Sequence, residues 1–168
     1  MKRTILIVVC LLSLALPALL MAKEKAAPVD LKGMNNVFLG WVNMSPEDYH
    51  HQGYSTKEEY QAVINHANTA FQESCQKAFS GRTVTAAKNP GDENTAGNDV
   101  YVKFSDVVYD HKYRLTISVH FIDLKTNAEI GSIPKKTYSA HYCGLEGCMI
   151  KELDKVSEEL QKEFAGGK

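Results

Sequence analysis

The sequence predicts an α+β fold, a two-layer sandwich with two helices on one face of a mixed, mostly antiparallel sheet, in the order β-α-β-β-β-β-α. Three observations predict it. Leu115, Ile117, Val119 and Phe121 alternate with Arg114, Thr116, Ser118 and His120, the period of a strand with one dry face and one wet face. Tyr60, Val63, Ile64, Ala67, Phe71, Cys75 and Ala78 recur every three or four residues, as do Met149, Ile150, Leu153, Val156, Leu160 and Phe164. That spacing gathers each set on one side of a helix. Elements that are dry on only one side close by packing in two layers.

The chain has 168 residues and a formal charge of −1. Its start is unlike the rest. Lys2 and Arg3 precede an apolar run from Ile5 to Leu16, Pro17 breaks it, and Ala22 supplies a small residue, the pattern of a secretory signal over 1–22. The alternative is a retained anchor, since Thr4 to Ala22 approaches the roughly 20 residues that span a bilayer. Without the first 22 residues the formal charge becomes −3 and the apolar share falls from 44% to about 39%. Neither charge gives the basic excess that nucleic acid requires, and no membrane span is expected once the leader is cut.

Residues 23–35 are charged and alanine-rich, without a period, and read as a flexible lead-in. A single domain is expected over 36–166. Asn36 to Met44 is short, β-branched and aromatic, so it reads as a buried strand. Ser55 with Glu58 and Thr56 with Glu59 each have capping-box spacing, which starts the first helix, and Gly81 ends it. Arg82 to Ala87 is a brief strand, and Asn89 to Asn98 is a loop of turn formers. Val100, Val102 and Phe104 form the next dry face. Asp110-His111-Lys112 and Thr126-Asn127 are the turns on either side of the Tyr113 to Phe121 strand. A last strand around Glu129 to Ile133 meets Pro134, which confines it to an edge or interrupts it.

No GxSxG, P-loop or dinucleotide-binding glycine pattern occurs, so no catalytic residue, metal site or cofactor is expected. Export places Cys75, Cys143 and Cys148 in an oxidising compartment. Cys143 and Cys148 either close a small ring across two glycines or remain loop thiols. Cys75, on the apolar side of its helix, reads as a buried inert thiol. The sharpest metal candidate, His141 with Cys143 and Cys148, has three ligands where a structural zinc site takes four. Asp92 to Gly97 begins like a calcium loop but has Ala96 and Lys103 where ligands belong. One loop stands out: Tyr49, His50, His51 and Tyr54 follow the first strand, where sheets with parallel crossovers often bind ligands. The alternative is that its tyrosines pack back onto the helix.

With these elements in order, and with the Asp123-Leu-Lys-Thr-Asn-Ala-Glu129 turn before the last strand, the chain resembles small envelope modules. These are the amino-terminal domain of TolB, CsgG and related lipoproteins; it also resembles short exported proteins of Bacteroides-type bacteria. Asn127-Ala128 stands where those modules carry glycine, and there is no lipobox around Cys10. The resemblance implies an exported periplasmic or envelope module that is not catalytic and that binds an envelope protein or associates with itself. An exposed edge at Glu129 to Ile133 would serve strand pairing. The alternative function is a small metal- or redox-linked enzyme using His141, Cys143 and Cys148.

Overall fold

The protein was studied as a computed structural model that describes residues 31–79 and 81–166. The expected signal over 1–22 and residues 23–30 of the expected lead-in lie outside the described residues. The elements run β1 (Asn36–Leu39), a 3-10 helix (Pro46–His50), α1 (Lys57–Ala78), β2 (Thr83–Ala86), β3 (Val100–Tyr109), β4 (Arg114–Asp123), β5 (Ala128–Ser139) and α2 (Leu145–Gly166). The strands form one sheet in the order β2-β1-β3-β4-β5. β1 is parallel to both β2 and β3, and β3, β4 and β5 follow one another antiparallel. This is the predicted α+β class.

The two periodicities explain the packing. Val37, Leu39, Val100, Val102, Leu115, Ile117, Val119 and Phe121 meet Ile64, Phe71, Met149, Leu153, Leu160 and Phe164 in one buried cluster. Both helices therefore lie on the same side of the sheet. Of the two capping boxes, Thr56 is the one used: its hydroxyl accepts from the Glu59 N–H at 3.2 Å. Phe38 points to the other side and is covered by Tyr101, with ring centroids 5.5 Å apart. Among the described residues no helix is long and apolar enough to cross a membrane.

Three expectations need correction. The packed chain begins before residue 36, because Leu31 is fully buried in the core and Arg82 Nε donates to the Met34 carbonyl. The first strand ends at Leu39 rather than Met44. Beyond it the buried Asn68 side chain takes the place of a neighbouring strand: its amide oxygen accepts from the Val42 N–H at 2.9 Å and its NH2 donates to the Val42 carbonyl at 3.1 Å. The last strand runs through Pro134 to Ser139, well past Ile133. It can do so because β5 is an edge strand, where a missing N–H costs the ladder nothing, and because the register with β4 shifts between Ile117–Lys136 and Val119–Ile133, opposite the proline.

Candidate functional site

Parallel β1, β2 and β3 send their carboxyl ends to the same side of the molecule as the β3–β4 turn, the exit of β5 and the starts of both helices. Three connections meet there: the segment 40–56, the turn 110–113 and the link 140–144. Gln52 Nε2 donates to the Tyr109 carbonyl at 3.2 Å, tying the first to the end of β3, where the second begins. His66 Nδ1 of α1 is hydrogen-bonded to Glu146 Oε1 in the first turn of α2. Tyr49, His50, His51, Tyr54, His111, Tyr113, His141 and Tyr142 all belong to these connections.

Of the four loop residues singled out by sequence, two turn inward. Tyr49 and Tyr54 are half-buried against the core, and Tyr54 stacks on Tyr60 at 5.1 Å. His50 and His51 are exposed, with the His50 ring 3.8 Å from that of Tyr49. Tyr142 stands free of the fold, 105% exposed relative to an extended chain, and Tyr113 is 37% exposed.

Beneath the surface lies a buried polar layer. Glu152 is fully buried; its Oε1 accepts from the Ala140 N–H at 2.9 Å and its Oε2 has no hydrogen-bond partner. Burial pushes its carboxyl up to about 7. The Tyr109 hydroxyl and Gln52 Oε1 are likewise buried without partners. Burial, followed by the Glu152 charge, raises the Tyr109 phenol above its ordinary value.

Cys143 and Cys148 are joined, with an S–S length of 2.08 Å and Cα atoms 5.3 Å apart, across the start of α2. With both sulfurs in the bridge, His141 has no thiolate beside it. No group of three or more His, Cys, Asp or Glu side chains is placed to hold a metal ion among the described residues. Cys75 is fully buried, and burial pushes its thiol up to about 12, which leaves it unreactive at neutral pH. Asp92 accepts the backbone N–H groups of Lys88 and Asn94, as a turn residue does. A ring of sequence separation 5 removes a modest amount of unfolded-chain entropy. Reducing the bridge should therefore lower stability by about 2 kcal/mol, read as the shift between urea unfolding curves taken with and without a phosphine reductant.

None of the hydrogen bonds at this end joins a hydroxyl or thiol to a histidine among the described residues. One hydrogen-bonded chain escaped the sequence reading. On the sheet's open face, Ser105 Oγ lies 2.8 Å from His120 Nε2, and His120 Nδ1 lies 3.1 Å from Glu129 Oε2. Alternation alone puts His120 on the wet face. The partners depend on cross-strand register, which a single sequence does not display.

No family of known proteins matches the sequence, and no curated protein does. Among solved structures, the chain is similar to PelC from Paraburkholderia phytofirmans, crystallised as a dodecamer. A single-substitution variant of that protein is 12% identical, covers 76% of this chain and 87% of that one, and superposes with a TM-score of 0.45. A second crystal form gives 13% identity, 73% and 86% coverage and a TM-score of 0.43. A candidate lipoprotein from Caulobacter crescentus CB15 is 16% identical over 60% of this chain and 84% of that one, with a TM-score of 0.33.

Proposed function

We propose that the protein is an exported module of the cell envelope that docks a protein partner, or a second copy of itself, through the tyrosine- and histidine-rich end of its sheet. One observation carries this reading. Among the described residues the large apolar side chains that stand exposed are Val108, Tyr113 and Tyr142, and all three sit at or beside that end. Aromatic side chains that are apolar on the ring and polar at the tip are enriched where proteins meet. The disulfide between Cys143 and Cys148 suits an oxidising compartment, in keeping with the leader read from Lys2 to Ala22. The role is of the kind carried by the amino-terminal domain of TolB and by CsgG, which the order of elements and the Asp123 to Glu129 turn resemble.

The edge at Glu129 to Ile133 is a poor alternative dock. β5 carries register shifts at two places, a proline and Lys135-Lys136, devices that blunt an edge against pairing.

The test compares the purified protein with a Tyr113→Ala/Tyr142→Ala variant, by light scattering during gel filtration and by cross-linking in envelope extract. Both side chains are exposed, so the variant should keep its melting temperature and lose the assembly or the cross-linked partner by about tenfold or more. A wild-type protein that stays monomeric and captures nothing, or a variant that captures the same partner equally well, would sink the reading.

A further inference from the structure

The face of the sheet away from the helices holds a set of groups that the docking role does not use. Ser105 on β3, His120 on β4 and Glu129 on β5 form a continuous chain, with Ser105 Oγ to His120 Nε2 at 2.8 Å and His120 Nδ1 to Glu129 Oε2 at 3.1 Å. A carboxylate at Nδ1 holds the proton there. Nε2 is then left as the acceptor that faces the serine.

We propose that Ser105 is a nucleophile for acyl transfer from short-chain carboxylic esters, with His120 as its general base and Glu129 as the group that positions His120. This goes beyond the docking reading and does not depend on it.

The backbone around Ser105 supports the assignment. Ser105 is the last residue in regular register before the ladder jumps from Ser105–Ser118 to Val108–Thr116, which leaves Asp106 and Val107 as the bulged pair. Asp106 has φ of 52°, and its carboxylate accepts from Ser118 Oγ at 2.8 Å, fixing the bulge. Bulges and non-glycine residues held in this region re-aim side chains and are over-represented at working sites.

A depression of about 320 Å³ lies on the same face; polar Glu93, Thr95, Lys103 and Asn127 share its wall with Ile122 and Leu124, and none of Ser105, His120 and Glu129 lines it. Lys103 lies opposite His120 in the β3–β4 register, and Ile122 lies opposite Glu129 in the β4–β5 register. The depression therefore lies next to His120 and Glu129, with Ser105 two residues beyond Lys103 along β3. Ile122 and Leu124 give it a small apolar patch on the side of Glu129.

The reaction is balanced with water as the only co-reactant. Ser105 Oγ bonds to the ester carbonyl carbon as His120 Nε2 takes its proton. The ester C–O bond breaks as the imidazolium returns that proton to the departing alkoxide, leaving acyl-Ser105. Water then adds to the acyl carbon with His120 again as base, and the carboxylic acid leaves as Ser105 Oγ regains a proton.

The test treats the purified protein with an alkyl fluorophosphonate and, separately, with p-nitrophenyl acetate. The expected result is one phosphonylated residue, mapped to Ser105 by mass spectrometry, and ester hydrolysis that falls about 100-fold or more in Ser105→Ala. Glu129→Gln, whose side chain is 47% exposed on an edge strand, should fold normally and lower kcat by about tenfold or more with KM unchanged. That split would not follow from a merely structural role. A protein that is not labelled, a label on a tyrosine or lysine, or a Ser105→Ala variant that hydrolyses the ester as fast as wild type through His120 alone would each overturn the proposal.

Discussion

Replacing Glu152 with Gln should abolish a fall in stability that the wild-type protein shows as pH rises from about 4.5 to about 7. The direction follows from the raised carboxyl. An unfolded chain releases this proton near the ordinary 4.5, whereas the folded chain holds it until about 7. Between those values the native state binds the extra proton, so raising pH favours unfolding. The groups facing Glu152 act in both directions. Burial and the Asp110 charge favour the neutral acid, while the Ala140 and Leu115 N–H groups and Lys155 favour the carboxylate. The loss by pH 8 amounts to at most about 3 kcal/mol.

Gln keeps an oxygen for the Ala140 N–H without titrating. Its urea midpoint should therefore be nearly the same at pH 5 and pH 8, while that of wild type drops. Asp92, Asp99, Asp110 and Asp123 are all held below their ordinary values. They withdraw stability only as pH falls below the ordinary carboxylate range, outside this window. Equal drops in both proteins would show that Glu152 is not the source.

An Asn68→Leu variant should lose about 4 kcal/mol. Asn68 is fully buried, and its side chain satisfies the Val42 N–H, the Val42 carbonyl and the Ile64 carbonyl. Leucine fills similar space, so the cost is electrostatic: the Val42 N–H and carbonyl remain buried without partners, at about 1–3 kcal/mol each. The effect extends to the docking surface, because residues 40–45 hang from this clamp and carry the chain into the Pro46–His50 helix. Hydrogen exchange at the Val42 amide should quicken along with the fall in unfolding free energy. A loss below about 1 kcal/mol would mean that the segment finds other partners.

The order of elements, the helix faces and the strand faces were legible because each depends on local period. Phe71 to Phe164 and Leu115 to Phe121 read correctly as core for that reason. What escaped depends on distant partners. Val42 and Met44 look like strand continuation, yet a helix side chain 26 residues onward replaces the strand pairing. Pro134 reads as either an edge marker or an interruption, and the edge reading holds because the register with β4 shifts opposite it. Leu31 is a lone apolar residue in a charged stretch, and no periodicity marks it as core. The site divides in the same way. Tyr49 to Tyr54 stood out by composition, whereas its company with His111, Tyr113, His141 and Tyr142 comes from topology, and the link of Ser105 to Glu129 through His120 needs three strands in register.

The place of β1 in the middle of the sheet bears on how the chain acquires its fold. Its partners are Thr83 to Ala86 on one side and Val100 to Val102 on the other, so every hydrogen bond of this strand waits for chain made much later. β3, β4 and β5 need only short turns to find one another and can assemble first. A chain emerging amino end first thus presents Val37, Phe38 and Leu39 long before anything can cover them. This segment is where a holding chaperone would be needed until residue 102 is in place.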